Sequence, residues 1–557
     1  MADTKQFEFP CGCAFDILED NQSGEFSLID FNPDTEYMDL ECPATWDLIS
    51  DGNTKGVFQL ESRLGKKLSK ELKPRSIENL AALVSIMRPG CLEAKREGKS
   101  VTQHFIDRKN GHEEVGYFHS ALKTVLEMTY GEMVYQEQAM QIAQKVAGFD
   151  LQQADVLRKA IGKKLSELMK EVKELFITGC ANASILTKEE AEEVFSWIEK
   201  SQRYSFNKSH AVSYAMNAYM SAYAKAHFKR AFFTSYLFHS KTQQKPQEEV
   251  YELINNCRAM DVGVGPPDFR IMNKEFEIWK GNIHFGLFNI KKIGMAIVEK
   301  LEKQAADSES RLGILRDNWT WTTFLVHFSP NVTSVAVKNM IKSGAVEYFG
   351  VSRTKMLFEY EMYSKLSGRE KTWVTKNFKT QHPKCSLENI LRDVAESKSG
   401  KDGATANVNR KKKVHEVLAM VQYPPSSLDD SEEWTASVEE ELLGIPLTKS
   451  VVDSCNMDAA NTTCLQVENR TEDQYNQLMF IGCKIDEAKV ITTKKGKGDK
   501  MAFLNVSDNT AQIDGVVCFP KEWQKYKSLC TEDNTIMLIG KRNKESLIVS
   551  KILQLTP

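Results

Sequence analysis

Along AVSYAMNAYMSAYAKAHF, Ala211, Ala215, Ala218 and Ala222 recur at helical spacing, a stripe of small residues that lets another helix approach closely. In the preceding segment TKEEAEEVFSWIEK, Thr187 and Glu190 have capping-box spacing, which predicts a break between two helices around Gln202 to Ser209. In FDLQQADVLRKAIGKK, Asp150 and Gln153 have N-cap and N3 spacing, and Gly162 suits the C-terminal stop. From Leu478 the period changes to two. LMFIGCKIDEAKVI, KMAFLNVSDN, QIDGVVCFP and TIMLIGKRN alternate as strands and suggest a small five-stranded barrel. The pattern predicts a multidomain, mainly α protein that ends in a small β-barrel.

A chain of 557 residues is long enough for three or four domains, and 41% hydrophobic content fits globular folding. No run of 18 or more apolar residues suggests a membrane span, and MADTKQFEFPCGCAFD lacks the basic start and apolar core of a signal peptide. Twelve scattered cysteines fit reduced thiols in a cytosolic compartment. Cys11-Gly-Cys13 is the only tight pair; without a second pair at metal spacing, the four-ligand requirement predicts no zinc site, and no metal ligands are assigned. The net charge of −3 conceals a division. Between Gln6 and Thr54 there are twelve acidic residues and no Lys or Arg, so the chain from Lys55 onward carries +9. A basic body suits contact with phosphate backbones. The acidic head reads as a solvated or loosely ordered segment, or more sharply as a docking surface for a basic partner.

Several segments offer chemistry with a plainer alternative beside it. Phe206-Asn207-Lys208-Ser209-His210 opens onto a helix start, where free N–H groups, the dipole and basic side chains suit a phosphate; the alternative is an ordinary capped helix. Lys159 and Lys163 stand four apart beside Arg158, a repulsion that an anion would relieve; alternatively these cations favour the helix C-terminus. After Lys241, KTQQKPQEE reads as a polar connector. Ile283 to Gln304 reads as a helix-hairpin-helix: Ile290 and Ile293 pack the helices, Gly294 opens the backbone to a phosphate, and Lys291 and Lys292 support it. A simple helical connection is the alternative. Lys398 to Lys413 has linker composition. Lys494, Lys495 and Lys497 lie in a basic turn between strands, while Phe503 and Phe519 read more simply as core than as stacking platforms.

Taken in order, GVFQLES (Gly56–Ser62), LVSIMRPG (Leu83–Gly90), VYQEQAMQIAQKVAGF (Val134–Phe149), ADVLRKAIGKK (Ala154–Lys164) and FNKSHAVSYA resemble the fingers domain of the bacterial C-family replicative DNA polymerases, the DNA polymerase III alpha subunits. The resemblance runs in one register from about Tyr37 to Gly350. It resumes at VEEELLGIPLT (Val438–Thr448) and again from about Leu478. It implies an acidic head and palm-to-fingers connection over 1–55, fingers over 56–245 and a helix-hairpin-helix duplex-binding region over 246–350. A linker and connecting region follows over 351–473, then a single-strand-binding OB-fold over 474–557. Implied nucleotide contacts are Arg88, Arg158, Lys159, Lys163, Lys164, Asn207, Lys208, Ser209, His210 and Tyr214; of Tyr135 to Gln138, only Gln138 is an implied polar contact. Implied DNA contacts are Lys291, Lys292, Gly294, Lys494, Lys495 and Lys497.

In that family three palm aspartates hold the magnesium ions and precede the fingers. Asp30, Asp34, Asp39 and Glu41 make no strand-borne D-x-D pair, so no catalytic residue is assigned here and the chain alone is expected to be inactive. The resemblance implies a split polymerase of a bacterial virus or unusual bacterium, working in the cytoplasm with Mg2+ and deoxynucleoside triphosphates. Its partners would be a palm-bearing chain, primer-template DNA and single-stranded template, with no membrane. A sliding clamp stays open as a partner, because Gln477-Leu-Met-Phe480 reads as a strand start. The alternative is a catalytically inactive DNA-binding or decoy subunit of the same family. A repair-type binding module would leave the fingers motifs without a task.

Overall fold

The computed structural model describes residues 4–19, 26–28, 38–162, 166–201, 204–380, 385–401, 403–468, 470, 474–493, 499–543 and 546–555. The chain divides into two compact units, residues 1–232 and 233–557. No helix among the described residues is long and apolar enough to cross a membrane.

The first unit begins with an antiparallel sheet in the order β1 (Thr4–Glu8), β2 (Ala14–Glu19), β3 (Phe26–Leu28). The described part of the acidic head therefore holds regular structure where its composition suggested a loosely ordered segment. Backbone pairing is blind to side-chain charge, and alternation places acidic residues along a strand without breaking its ladder. Helices α1 (Pro43–Ser50), α2 (Ile77–Ile86), α3 (Gln136–Ala147), α4 (Leu151–Gly162), α5 (Ser166–Ala183), α6 (Lys188–Ser201) and α7 (Lys208–His227) follow. The predicted break is present: α6 ends at Ser201 and α7 starts at Lys208. Both predicted caps form. Thr187 N donates to Glu190 at 2.8 Å and Gln153 N donates to Asp150 at 2.7 Å.

One core joins α3, α5 and α6 through buried Ile142, Val146, Phe176, Phe195 and Ile198. Gly179 on α5 permits a close approach, since a Cβ there would stand 2.1 Å from the Ala147 carbonyl oxygen at the end of α3. The alanine stripe does what its spacing predicts. Ala211, Ala215, Ala218 and Ala222 are all fully buried, and α7 packs against α2 and α1. Lys225, also fully buried, donates to the carbonyls of Asn53 and Lys55 at 2.8 and 2.7 Å and so ties the GVFQLES loop to α7.

In the second unit, α8 (Pro246–Ala259) starts at a proline within the polar connector. The helix-hairpin-helix expected over Ile283 to Gln304 is not formed as two helices. Asn282–His284 is a strand, Leu287–Asn289 a single 3₁₀ turn, and only α9 (Met295–Leu312) is a full helix. Ile283 pairs backbone with Val264 and with Ile278. Pairing with chain on either side thus captures a segment whose apolar spacing resembled a helix. Ile290 and Ile293 are buried as expected, but the left-handed residue of the turn is Lys292, at φ 69°, rather than Gly294.

The region 351–473 is largely helical, with α10 (Arg353–Ser364), α11 (Gly368–Asn377), α12 (Leu387–Glu396), α13 (Val408–Gln422) and α14 (Glu432–Leu443). The linker reading of Lys398 to Lys413 is corrected in its second half. Asn407 caps α13, and Arg410 forms a two-armed ion pair, 2.8 Å on each arm, with fully buried Glu370. Arg410 is thus a structural anchor and α13 packs on α12, while Lys412 and Lys413 stay exposed. Within VEEELLGIPLT, fully buried Glu439 accepts from the amides of Leu447 and Thr448 and pairs with Arg353 at 2.8 Å. A buried carboxylate with this many donors fixes the α14–loop junction.

The C-terminal strands β4 (Leu478–Thr492), β5 (Lys500–Ser507), β6 (Gln512–Cys518), β7 (Thr535–Arg542) and β8 (Leu547–Gln554) close a barrel. Their order is β5-β6-β8-β7-β4 with β4 closing on β5; only β6 and β8 run parallel. The protein is mainly α with a C-terminal closed five-stranded barrel, as the periodicity predicts. Phe519 is 44% exposed and Phe503 half-buried, so neither joins the barrel core built from Ile481, Ile485, Leu504, Val516 and Leu538. Both expectations of core burial are corrected. Phe503 falls on the strand face away from Leu504, and Phe519 caps the short helix Pro520–Tyr526.

Candidate functional site

Four separated motifs meet at the N-terminus of α7. Phe206 lies alongside Tyr135 as a parallel bridge; its carbonyl accepts from Gln136 N at 2.9 Å and its amide donates to the Val134 carbonyl at 2.9 Å. The Arg88 guanidinium sits 3.6 Å from the Phe206 ring centre, a cation–π contact that holds the LVSIMRPG motif at this point. The Phe206 and His210 rings are 5.3 Å apart, His210 and Tyr214 4.1 Å, and Tyr214 and Phe58 of GVFQLES 5.2 Å. The Phe58 amide also donates to Ser221 Oγ at 3.0 Å. Arg88, Ser209, His210 and Phe58 are exposed, and Lys208 and Tyr214 are half-buried. The result is an aromatic ladder edged by cations.

Asn207 is the cap. Its Oδ1 accepts from His210 N at 2.9 Å and from Ser209 Oγ at 2.7 Å. Glu137 takes the other groups of the helix start, accepting from Asn207 Nδ2 and from Lys208 N at 2.9 Å each. The amides of Lys208 and His210 are thus occupied by carboxylate and carboxamide oxygens. The expectation of freely offered helix-start amides is corrected to one of side chains, Lys208, His210 and Arg88, set beside a satisfied cap. Gln138 is corrected too. It is 4% exposed and turned inward, accepting from the amides of Val134 and Tyr135 and donating to Thr129 Oγ1 and the Val125 carbonyl. Glu137 is the polar contact, one residue away; the helical step of about 100° separates the two side chains onto different faces. Burial pushes the Tyr135 hydroxyl above its ordinary pKa, so the ring beside Lys208 stays neutral.

Arg158 and Lys159 stand on α4, which packs against α3, the helix that carries Glu137. Asp155 holds both. Its Oδ1 accepts from Arg158 Nε and Nη2 at 2.9 and 2.8 Å, and its Oδ2 pairs with Lys159 at 2.7 Å. Lys159 first and Arg158 second depress the Asp155 pKa. The anion that the crowded cations call for is thus already present, one helical turn back, although all three groups remain substantially exposed. Lys163, Lys164, Lys494, Lys495 and Lys497 lie outside the described residues. In the second unit Lys291 and Lys292 are exposed on their turn, and the space beside Gly294 is open.

At the other end of α7, a constellation appears that the sequence pattern did not assemble. Cys11, Cys13, Cys42 and His227 converge, joining the tight cysteine pair to two residues far along the chain. The tight pair was the available signal. Its two remaining companions come from different elements and carry no spacing rule.

The sequence that builds this site has counterparts in known proteins. Residues 14–184 match the family model of the bacterial DNA polymerase III alpha subunit finger domain. That match reaches further toward the N-terminus than the motifs beginning at Tyr37, into the strands of the acidic head. Among curated relatives, the DNA polymerase III subunit alpha of Aquifex aeolicus is 31% identical over 505 residues, covering 90% of this chain and 38% of its own length. The corresponding subunit of Thermus aquaticus is 30% identical over 535 residues, 92% of this chain and 38% of its own. That of Pasteurella multocida is 28% identical over 517 residues, 91% and 40%. The chain spans about two fifths of the length of the curated relatives it matches.

Proposed function

We propose that this chain supplies the nucleotide-facing fingers and the DNA-holding elements of a templated DNA polymerase, working with palm carboxylates from outside this sequence. The observation that carries the reading is the convergence of Phe58, Arg88, Glu137 and Phe206 to Tyr214 at one helix start, inside a sequence similar throughout to polymerase alpha subunits. Arg88, Lys208 and His210 offer donors to a triphosphate, and Tyr214 with Phe58 offers an apolar wall to the sugar and base. Asn207 and Ser209 set the cap that aims them. Arg158 and Lys159 would exchange part of their Asp155 contact for phosphate oxygens, and Lys163 and Lys164, next in the sequence, would add to that contact. Lys291, Lys292 and the open backbone at Gly294 would meet duplex phosphates. The barrel would act as an OB-fold guiding single-stranded template, through Lys494, Lys495 and Lys497 and the outward Phe503 and Phe519.

Glu137, the carboxylate at the cluster, is committed to Asn207 and the Lys208 amide. It does not provide the set of oxygen ligands that magnesium needs, so the Mg2+ ligands are assigned to the palm. The experiment mixes this chain with a palm-bearing polymerase fragment and measures primer extension. Activity is expected only with both chains, and Arg158→Ala or Lys208→Ala should raise the KM for nucleotide about ten- to hundredfold, the value of one charge-assisted phosphate contact. Lys291→Ala should instead raise the KM for primer-template. Absence of activity with any palm-bearing partner would favour a DNA-binding or decoy subunit. Restored activity with unchanged nucleotide dependence would remove the assignment of Arg158 and Lys208.

A further inference from the structure

Three thiols and one imidazole meet in the first unit: the Sγ atoms of Cys11, Cys13 and Cys42 and a ring nitrogen of His227 all lie within 4.8 Å of one another. His227 Nε2 is 3.3 Å from Cys11 Sγ and 3.6 Å from Cys42 Sγ. In a tetrahedral zinc site with Zn–S near 2.3 Å and Zn–N near 2.0–2.1 Å, neighbouring ligand atoms stand about 3.5–3.8 Å apart. The two His227–thiol distances fall close to that spacing, and no pair in the cluster exceeds 4.8 Å.

The surroundings are built for the same purpose. His227 Nδ1 lies 2.9 Å from the Tyr223 carbonyl oxygen. A carbonyl only accepts, so Nδ1 carries a proton and Nε2 is the ring atom turned to the thiols, the orientation and outer contact characteristic of a metal-bound histidine. The cysteine pair sits on a tight turn between β1 and β2. Phe9 N donates to the Cys13 carbonyl and Gly12 N to the Phe9 carbonyl, both at 2.8 Å, and Gly12 at φ 89° adopts the left-handed conformation the turn requires. Cys42 occupies the cap position of α1 without making a side-chain cap bond, and it is fully buried. The Phe9 ring stands edge-on 5.0 Å from His227 and 5.7 Å from Phe228, an apolar cover. Cys13 and His227 are each 7% exposed. None of the cysteines is in a disulfide.

We propose that Cys11, Cys13, Cys42 and His227 form a structural Zn2+ site that pins the β1–β2 turn to the start of α1 and the end of α7. Four protein ligands close the coordination sphere, which makes the site structural rather than catalytic. Binding exchanges thiol protons for the ion and releases them to solvent, with no change of oxidation state. The ion would link residues up to 216 positions apart, from the acidic head to the far end of the helix that begins at the candidate site. It therefore fixes the head independently of any partner.

The test uses the purified full chain, desalted under reducing conditions and analysed for metal. About one zinc per chain is expected. Replacement by Co2+ should give the intense visible bands of a tetrahedral cobalt–thiolate centre together with thiolate-to-metal charge transfer. Cys13→Ser and His227→Ala should lose the stoichiometric metal, while Cys180→Ser, a buried cysteine outside the cluster, should keep it. Because the first two variants bear on folding, alkylation of the unaltered chain gives a second readout: a strong chelator should expose Cys11, Cys13 and Cys42 that zinc protects. Trace zinc with an octahedral cobalt spectrum would overturn the proposal. So would full metal retention in both variants, or peptide mapping that finds Cys11 in a disulfide with Cys13 or Cys42. None of these readouts depends on polymerase activity, so the site stands or falls apart from the functional reading.

Discussion

A single carboxylate, Glu137, decides how the start of α7 is used. By taking the Lys208 amide and the Asn207 side chain it satisfies the cap, so the proposed nucleotide contacts rest on the side chains of Lys208, His210 and Arg88. A different economy governs His327. It is 6% exposed, neither ring nitrogen has a hydrogen-bond partner among the described residues, and burial, aided by Arg311, pushes its pKa down to about 4. The unfolded chain takes up a proton below about pH 6.5 that the folded chain refuses until about pH 4. Stability therefore falls as pH drops through that window, by at most about 1.4 kcal/mol per pH unit. His327→Phe should flatten this part of the stability–pH curve; urea titrations of both proteins between these limits check it, and an unchanged slope would place the titration elsewhere.

Close packing of elements rests on a few positions where a side chain has no room. Gly179 lets α5 run against the end of α3, and the atom that would meet a new Cβ is a backbone carbonyl oxygen, which has no rotamer to change. Gly179→Ala should cost about 1–3 kcal/mol or more through forced separation of the helices. Gly294 offers the contrast. It has open space beside it and an ordinary φ of −83°, so Gly294→Ala should stay within about 0.5 kcal/mol. Chemical denaturation of the two variants side by side separates packing from composition. If Gly294→Ala keeps its stability but weakens duplex binding, the open backbone there has a ligand.

On the scale of the molecule, charge is distributed by region: −12 between Gln6 and Thr54 and +9 from Lys55 onward. Part of the positive charge is internal, since Arg353 and Arg410 pair with buried Glu439 and Glu370. Each of these pairs is already neutral within the net figure, so the +9 is carried by other side chains. Affinity for single strands should fall with salt, and replacing Lys494, Lys495 and Lys497 together by Ala should weaken binding and lower the slope of log K against log salt by about 0.7 per lost phosphate contact. Fluorescence anisotropy with a labelled oligonucleotide across a salt series measures both. An unchanged slope would assign the three lysines to solvent.

What the sequence determined by itself was whatever depends on near neighbours along the chain. The alanine stripe of α7, the caps at Thr187 and Asp150 and the alternation that makes the barrel are local patterns, and each is formed as its spacing predicts. Ordered motifs also carried the polymerase resemblance, because each motif is itself a short local signature. Tertiary structure decided the rest. Strand pairing by Ile283 replaced a helix, Glu370 drew Arg410 of the basic run into the structure, and Glu137 displaced Gln138 as the polar contact. Cys42 and His227 joined Cys11 and Cys13 only because α1, α7 and the first hairpin meet. Such partners are chosen by long-range packing, and no periodicity records which distant residue will arrive opposite a given side chain.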